Sequence, residues 1–307
     1  MTEYVIETRN LTKKYKDKTV VNNISMKIEK GKIYGLLGKN GAGKTTTMRM
    51  LLNLASKTDG EILLFSEKPN HQAYKRIGSI IETPGFYENL TARENLKLIS
   101  IVRENYSKDD IEEILKLVSL DDNDNKYKDF SLGMKQRLAI ASAILHKPDL
   151  LILDEPINGL DPIGIKEIRY LLMKLSQENN TTILISSHIL SEIENLADII
   201  GVMDNGRLIT ELNKDELSDK LNKRVDFEVS DVNMARAVLE KIGLHDGSDY
   251  EISKTNGITL YTNLDLRDKI NELFVQNDIK VRKINLSEEN LEEYFTRLIG
   301  QKTELTA

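Results

Sequence analysis

Gly38-Lys39-Asn40-Gly41-Ala42-Gly43-Lys44-Thr45-Thr46 sits between the apolar run Ile33 to Leu37 and a segment, Met48 to Leu54, whose apolar residues recur at helical spacing. The pattern is G-x-x-x-x-G-K-T. Its glycines let successive backbone N–H groups turn inward around phosphate oxygens, a geometry that a Cβ resists. Lys44 adds a point charge for the outer phosphates of a nucleotide, and the Thr45 hydroxyl is placed to meet a Mg²⁺. A strand that feeds the loop and a helix that leaves it also put the phosphates at the positive end of a helix dipole. Ordinary glycine turns match this pattern by chance, so the rest of the chain has to supply the partners such a loop needs.

The 307 residues suffice for two domains, and a 40% hydrophobic content supports real cores rather than disorder. Lys and Arg total 43 against 49 Asp and Glu, a formal net charge of -6 without a long block of one sign, so no nucleic-acid partner is expected. Cysteine is absent, which removes disulfides and thiolate zinc sites and suits a reducing cytosol. The first residues lack the basic and apolar segments of a signal peptide, and no apolar run approaches the roughly 20 residues of a membrane helix. Any membrane role is therefore expected to come through a partner.

In chain order, Val5 to Thr8 and the alternation Ile24, Met26, Ile28 read as strands of a small antiparallel layer, with Tyr15 between them. Tyr15 can stack on an adenine or serve packing alone. Strands follow at Glu61 to Phe65 and Ile77 to Ile81, the latter ending at Glu82-Thr83-Pro84-Gly85. From about residue 88 to 147 the pattern turns helical, opening with a capping box from Thr91 to Glu94. Leu150 to Leu153 resumes as a continuous buried strand, then a helix through Ile165 to Leu172 and the strand Thr182 to Ser186. This alternation predicts a mostly parallel α/β sheet carrying a helical insert, closed by a hairpin at Asp204-Asn205-Gly206. The first domain is expected over residues 1–220. Residues 223–307 read β-α-β-β-α-β with a last helix from about Ser287, the order of a ferredoxin-like α+β appendage without a chemical motif.

Asp154 and Glu155 end the buried strand at the sheet edge where ligands of open α/β sheets collect. Asp154 is positioned to hold Mg²⁺ through its water shell, and Glu155 to polarise an attacking water as general base. Alone, two acids before a proline also describe a solvated turn. His188 follows the strand Thr182 to Ser186 and can hydrogen-bond a γ-phosphate or hold Glu155, although strand-end histidines are common at surfaces. Of the four histidines, it alone falls at the edge shared with the other motifs. Phe130-Ser131-Leu132-Gly133-Met134-Lys135-Gln136-Arg137 opens a helix that Ser131 can cap and whose N-terminus attracts anions.

That last segment resembles the signature motif of ABC ATPases, with Leu132 in place of a second glycine and Met134 in place of glutamine. The likeness runs from about Tyr4 to Leu212 with every motif in order. It implies a P-loop NTPase fold of ABC type that binds and hydrolyses ATP with Mg²⁺. Tyr15 takes the place of the adenine-stacking aromatic, Gly38 to Thr45 of Walker A, Asp154 and Glu155 of Walker B, Asp161 of the D-loop and His188 of the switch histidine. Glu155 and His188 are then catalytic, and Thr45, Asp154 and Glu82 face the metal. The family sandwiches ATP between two subunits, so Ser131, Leu132, Gly133 and Met134 of one chain would meet the γ-phosphate held by Lys44 of an identical or paralogous second subunit. A membrane permease would read the motion, leaving the chain cytoplasmic and peripheral on the inner face of the membrane.

Glu82 stands where the family places glutamine. With the Thr-Pro-Gly-Phe-Tyr-Glu-Asn-Leu-Thr sequence after it, it resembles the ATPase subunits of bacitracin-resistance and lantibiotic-immunity exporters. Two other readings remain open at this point: a soluble ABC protein acting on ribosomes or DNA, and a nucleotide-binding switch whose hydrolysis Glu82 weakens.

Overall fold

Ile33–Leu37 is the central strand of the larger sheet, and all of its residues are buried. A strand covered by helices on both faces needs an unbroken apolar run, which this segment supplies. The structure, a computed structural model, describes residues 3–81, 85–103, 107–213, 223–253, 257–288 and 294. The chain divides into two units, Met1–Lys214 and Asp215–Ala307, a few residues before the junction expected from the sequence.

In the first unit the order is β1 (Tyr4–Tyr15), β2 (Lys18–Ile24), β3 (Lys27–Glu29), β4 (Ile33–Leu37), α1 (Lys44–Leu51), β5 (Asp59–Leu64), α2 (His71–Lys75) and β6 (Ile77–Ile80). The helical insert follows as α3 (Ala92–Arg103), α4 (Lys108–Leu117) and α5 (Leu132–Ile144). Then come β7 (Leu150–Asp154), α6 (Pro162–Asn179), β8 (Thr182–Ser187), α7 (Leu190–Glu194), β9 (Ile199–Asp204) and β10 (Arg207–Asn213). The larger sheet has the order β10-β9-β4-β8-β7-β6; its strands are parallel except for the antiparallel edge strand β10. β1, β2, β3 and β5 form the antiparallel layer.

This order positions the site. β8 lies between β4 and β7, with Leu37 opposite Ser187 and Asp154 opposite Ser186. The segments that follow β4, β7 and β8 therefore emerge side by side at one carboxyl edge. The β9–β10 turn reaches the same neighbourhood. Asn205 and Gly206 both have positive φ, 46° and 78°, as a two-residue hairpin of this hand demands, and the Gly206 N–H donates to Ala42 O at 3.0 Å.

In the insert, the Thr91 hydroxyl accepts from the Glu94 N–H at 3.2 Å while the Glu94 carboxylate accepts from the Thr91 N–H at 2.8 Å, so the capping box closes as expected. Phe86, Tyr127 and Phe130 stack in tilted pairs 5.1 and 5.8 Å apart in front of α5. The close approach of α5 to β6 requires Gly78, where a Cβ would lie 2.1 Å from Ala143 O.

Several sequence expectations shift. Ile24, Met26 and Ile28 are all buried but do not form one strand. Asn23 adopts φ 58° and the pairing changes partner: β2 follows the distal half of the long β1, β3 its beginning. Tyr15 ends β1 opposite Lys18 rather than lying between two strands. The helix expected at Met48 begins at Lys44, inside the glycine loop, because Gly43 serves as its N-cap. The strand expected from Glu61 starts at Asp59, with Gly60 at φ 86° inside it.

The second unit contains β11 (Lys223–Val229), α8 (Val232–Lys241), β12 (Tyr250–Ile252), β13 (Gly257–Leu260), α9 (Arg267–Gln276) and β14 (Val281–Glu288). Its antiparallel sheet has the order β12-β13-β11-β14 over a core that includes Phe227 and Phe274 in edge-to-face contact at 5.6 Å. Ser287, expected to start a helix, pairs with Arg224 in β14, because the strand continues through Glu288.

Candidate functional site

The loop after β4 is held in shape by its own backbone. Gly38 N–H donates to Ser187 O at 3.2 Å and Ala42 N–H to Lys39 O at 3.0 Å. Gly43 has φ 104°, and a Cβ there would lie 2.8 Å from Val20 O, so both conformation and space demand glycine. Gly41, at φ 85°, faces open space. Lys39 and Asn40 are exposed, Gly38, Thr45 and Thr46 half-buried, and Ala42 and Lys44 buried. Lys44 Nζ folds back over the loop and donates to Gly38 O at 2.6 Å.

The acids at the end of β7 meet this loop. The Thr45 hydroxyl donates to Asp154 Oδ2 at 2.6 Å, and Lys44 Nζ pairs with Glu155 Oε1 at 3.2 Å. Glu155 Oε2 accepts from His188 Nδ1 at 2.7 Å, which assigns the imidazole proton to Nδ1 and leaves Nε2 to face solvent or ligand. Lys44, Glu155 and His188 thus form one connected chain from the phosphate loop to the end of β8. Glu155 holds φ 49°, a left-handed conformation that costs a non-glycine residue about 1–2 kcal/mol. Its N–H is fixed by the Ser186 hydroxyl at 3.0 Å, and the same hydroxyl donates to Asp154 Oδ1 at 2.5 Å.

Sequence reasoning missed Ser186 and its neighbour Ser187. The Ser187 hydroxyl donates to Glu192 Oε2 at 2.8 Å and accepts from Ile189 N–H at 2.9 Å. Burial raises the Glu192 carboxyl above its ordinary range, opposed by the Ser187 hydrogen bond and His188 and assisted by Glu155.

The other expected residues lie apart from this chain of contacts. Ser131 caps α5 by accepting from Met134 N–H at 3.3 Å, and among the described residues no hydrogen bond joins Ser131 to Met134 with the phosphate loop. Leu132 is exposed, its Cδ2 3.3 Å from where a Gly159 Cβ would be; the nearest neighbour of a Gly133 Cβ would be Leu160. Arg137 anchors the same helix to Glu167 of α6. Asp161 caps α6, accepting from Gly164 N–H at 2.8 Å. Tyr15 is half exposed with Lys13 Nζ 4.6 Å from its ring centre. Of the expected metal-facing set, Thr45 and Asp154 come together, and Glu82 lies outside the described residues. No group of three or more acidic or histidine side chains among the described residues forms a cation cage. A cavity of about 330 Å³, lined by Ile114, Lys147, Asp149 and Thr181 among others, opens at the opposite, amino-terminal edge of β7 and β8 and contains none of the expected residues.

An ABC transporter family model matches residues 21–158. The chain is 54% identical over 302 residues to the bacitracin transport ATP-binding protein BcrA of Enterococcus faecalis, covering 97% of both chains. It belongs to the ATP-binding subunits of ABC transporters. This ABC ATPase is also 45% identical to the lantibiotic transport ATP-binding protein SrtF of Streptococcus pyogenes, over 73% of this chain and 99% of that one. Among solved structures it resembles cbiO1 of Clostridium perfringens, part of the ABC transporter complex cbiONQ, with a TM-score of 0.65, 26% identity, and coverage of 78% of this chain and 96% of that one. It also resembles the dimeric structure of MJ0796, a bacterial ABC transporter cassette, with a TM-score of 0.60, 25% identity and coverage of 68% and 98%. The ABC ATPase is accordingly an ATP-hydrolysing transport subunit. No helix among its described residues is long and apolar enough to cross a membrane.

Proposed function

We propose that this ABC ATPase powers the export of peptide antibiotics of the bacitracin or lantibiotic type through a separate membrane permease, holding ATP between two ATPase subunits. The observation that carries this reading is the 54% identity to the bacitracin transport protein over 97% of both chains, which continues past the family-matched region and through the second unit. The likeness to a cassette solved as a dimer supports pairing of two subunits, identical or paralogous. The chain then works on the cytoplasmic face, bound to the permease.

In this mechanism the glycine loop and Lys44 bind the β- and γ-phosphates, and Ser131 and Gly133 of the second subunit close over the γ-phosphate. Tyr15 offers its exposed ring to the adenine. Glu155 accepts a proton from the attacking water, and His188 keeps that carboxylate and the water in line. Thr45 and Asp154 are hard oxygen donors that suit Mg²⁺; when bound, the ion neutralises charge on the outer phosphates. Asp161 keeps its capping contact while the loop before it faces the second subunit.

The test is co-expression with a candidate permease subunit in a bacitracin- and lantibiotic-sensitive host. The wild type raises the inhibitory concentration of one of these peptides, and Lys44→Ala abolishes the gain. If a transport-active complex protects against neither peptide, the substrate class is wrong. Co-purification with ribosomes and with no integral membrane protein sinks the transporter reading altogether.

A further inference from the structure

β8 ends in two consecutive serines, both fully buried. Alternation along a strand sends neighbouring side chains to opposite faces, so the two hydroxyls serve different partners. Ser186 turns toward β7, bridging Asp154 Oδ1 at 2.5 Å and the Glu155 N–H at 3.0 Å. Ser187 turns toward α7, where its hydroxyl donates to Glu192 Oε2 at 2.8 Å and accepts the Ile189 N–H at 2.9 Å. His188 lies directly between the residues so fixed, and its Nδ1 reaches Glu155 at 2.7 Å.

Glu192 is 7% exposed, and its carboxylate accepts the Ser187 hydroxyl. A carboxyl group is costly to bury, and among the described residues the Ser187 hydroxyl is the hydrogen-bond donor that meets this one. Its cost is explained if it acts on the turn: locking Ser187 pins the backbone on both sides of His188, which sets where the imidazole points.

We propose that Glu192, through Ser187, is a positioning residue for ATP hydrolysis that aims His188 at Glu155, while Ser186 holds Glu155 in its left-handed conformation. This rests on the reading of Glu155 and His188 as the hydrolytic pair. Glu192 and the serines touch no phosphate in this scheme, so their removal lowers kcat and leaves nucleotide binding nearly intact. An isosteric Glu192→Gln keeps an oxygen that accepts from Ser187 and retains the aim.

The experiment measures steady-state ATPase kinetics and fluorescent-nucleotide binding of the full-length chain, with Tm recorded for each variant. Ser187→Ala and Glu192→Ala are expected to lower kcat about tenfold with KM for ATP changed less than twofold. Glu192→Gln should recover at least half of the wild-type kcat. The double variant His188→Ala/Glu192→Ala should be no slower than His188→Ala alone, because a residue that acts through another adds nothing once that other is gone. Losses that multiply in the double variant overturn the positioning role, as does a Glu192→Ala enzyme that turns over at full speed beside an inactive Glu155→Gln. Should Glu155→Gln and His188→Ala both match the wild type, the underlying reading of the site fails instead, and the two failures are told apart.

Discussion

Lys44 Nζ lies 3.2 Å from Glu155 Oε1, so the cation of the phosphate loop is paired with the carboxylate proposed to activate water. A phosphate seated in the loop competes with that carboxylate for Lys44 and is repelled by it. Glu155→Gln removes both effects. The variant is expected to bind ATP about fivefold more tightly, the equivalent of roughly 1 kcal/mol for one screened charge interaction. Its turnover falls about a hundredfold or more, the usual loss for a general base. Lys44→Ala is the counterpart: it loses charged hydrogen bonds worth about 1.5–3 kcal/mol and binds ATP at least tenfold more weakly. Equilibrium titration with a fluorescent ATP analogue reads both, and weaker binding by Glu155→Gln contradicts the competition.

The two positive-φ glycines inside the loop make a matched pair of controls. Gly41→Ala meets nothing within 4 Å and carries only the cost of a left-handed residue, about 1 kcal/mol. Gly43→Ala carries that cost and also drives a methyl group to 2.8 Å from Val20 O, with Met203 and Gly206 close behind. Thermal unfolding should show a Tm loss of about 2–4 °C for Gly41→Ala and at least twice that for Gly43→Ala. Equal losses would mean that the Val20 backbone yields without cost.

The glycine loop was legible because few residue types satisfy its geometry, and the Thr91–Glu94 box and the Asn205-Gly206 hairpin because their partners lie within a few residues. What could not be read depends on distance along the chain. The placement of β8 between β4 and β7 joins strands far apart in sequence, and only that order makes Ser186 a neighbour of Asp154. A serine at a strand end is common, so Ser-Ser-His pointed to the histidine while its flanking hydroxyls carried no signal. The break between β2 and β3 escaped notice because Ile24, Met26 and Ile28 keep their alternation while the pairing changes partner on β1. β14 runs on past Ile284 because Leu286 and Ser287 find register partners on β11, which local spacing does not reveal.

We propose that Glu82, which the resemblance sets in the place of a glutamine, tunes coupling to the permease. In that place a carboxylate would keep a ligating oxygen and add a negative charge, so its replacement would alter communication with the permease more than chemistry. Glu82→Gln should retain at least half of the basal ATPase rate while changing the inhibitory concentration of the exported peptide at least twofold. Parallel ATPase and resistance assays check this; equal resistance in both strains refutes the coupling role.

The raised carboxyl of Glu192 makes a pH prediction whose sign follows from linkage. Burial favours its protonated form in the folded chain, with Ser187 and His188 opposing and Glu155 assisting. A carboxyl whose folded value lies above its unfolded value contributes fully to stability below the unfolded value, and that contribution disappears as pH rises through the folded one. At neutral pH the wild type therefore bears the cost of a buried charge that Glu192→Gln does not. The glutamine variant should melt higher than the wild type at pH 8, and the gap should close as pH falls toward the ordinary carboxylate range near 4. Paired thermal melts between pH 4 and 8 measure the gap. A difference that stays constant across this range would show that Glu192 does not titrate with folding, and a gap that widens toward acid would reverse the assigned direction.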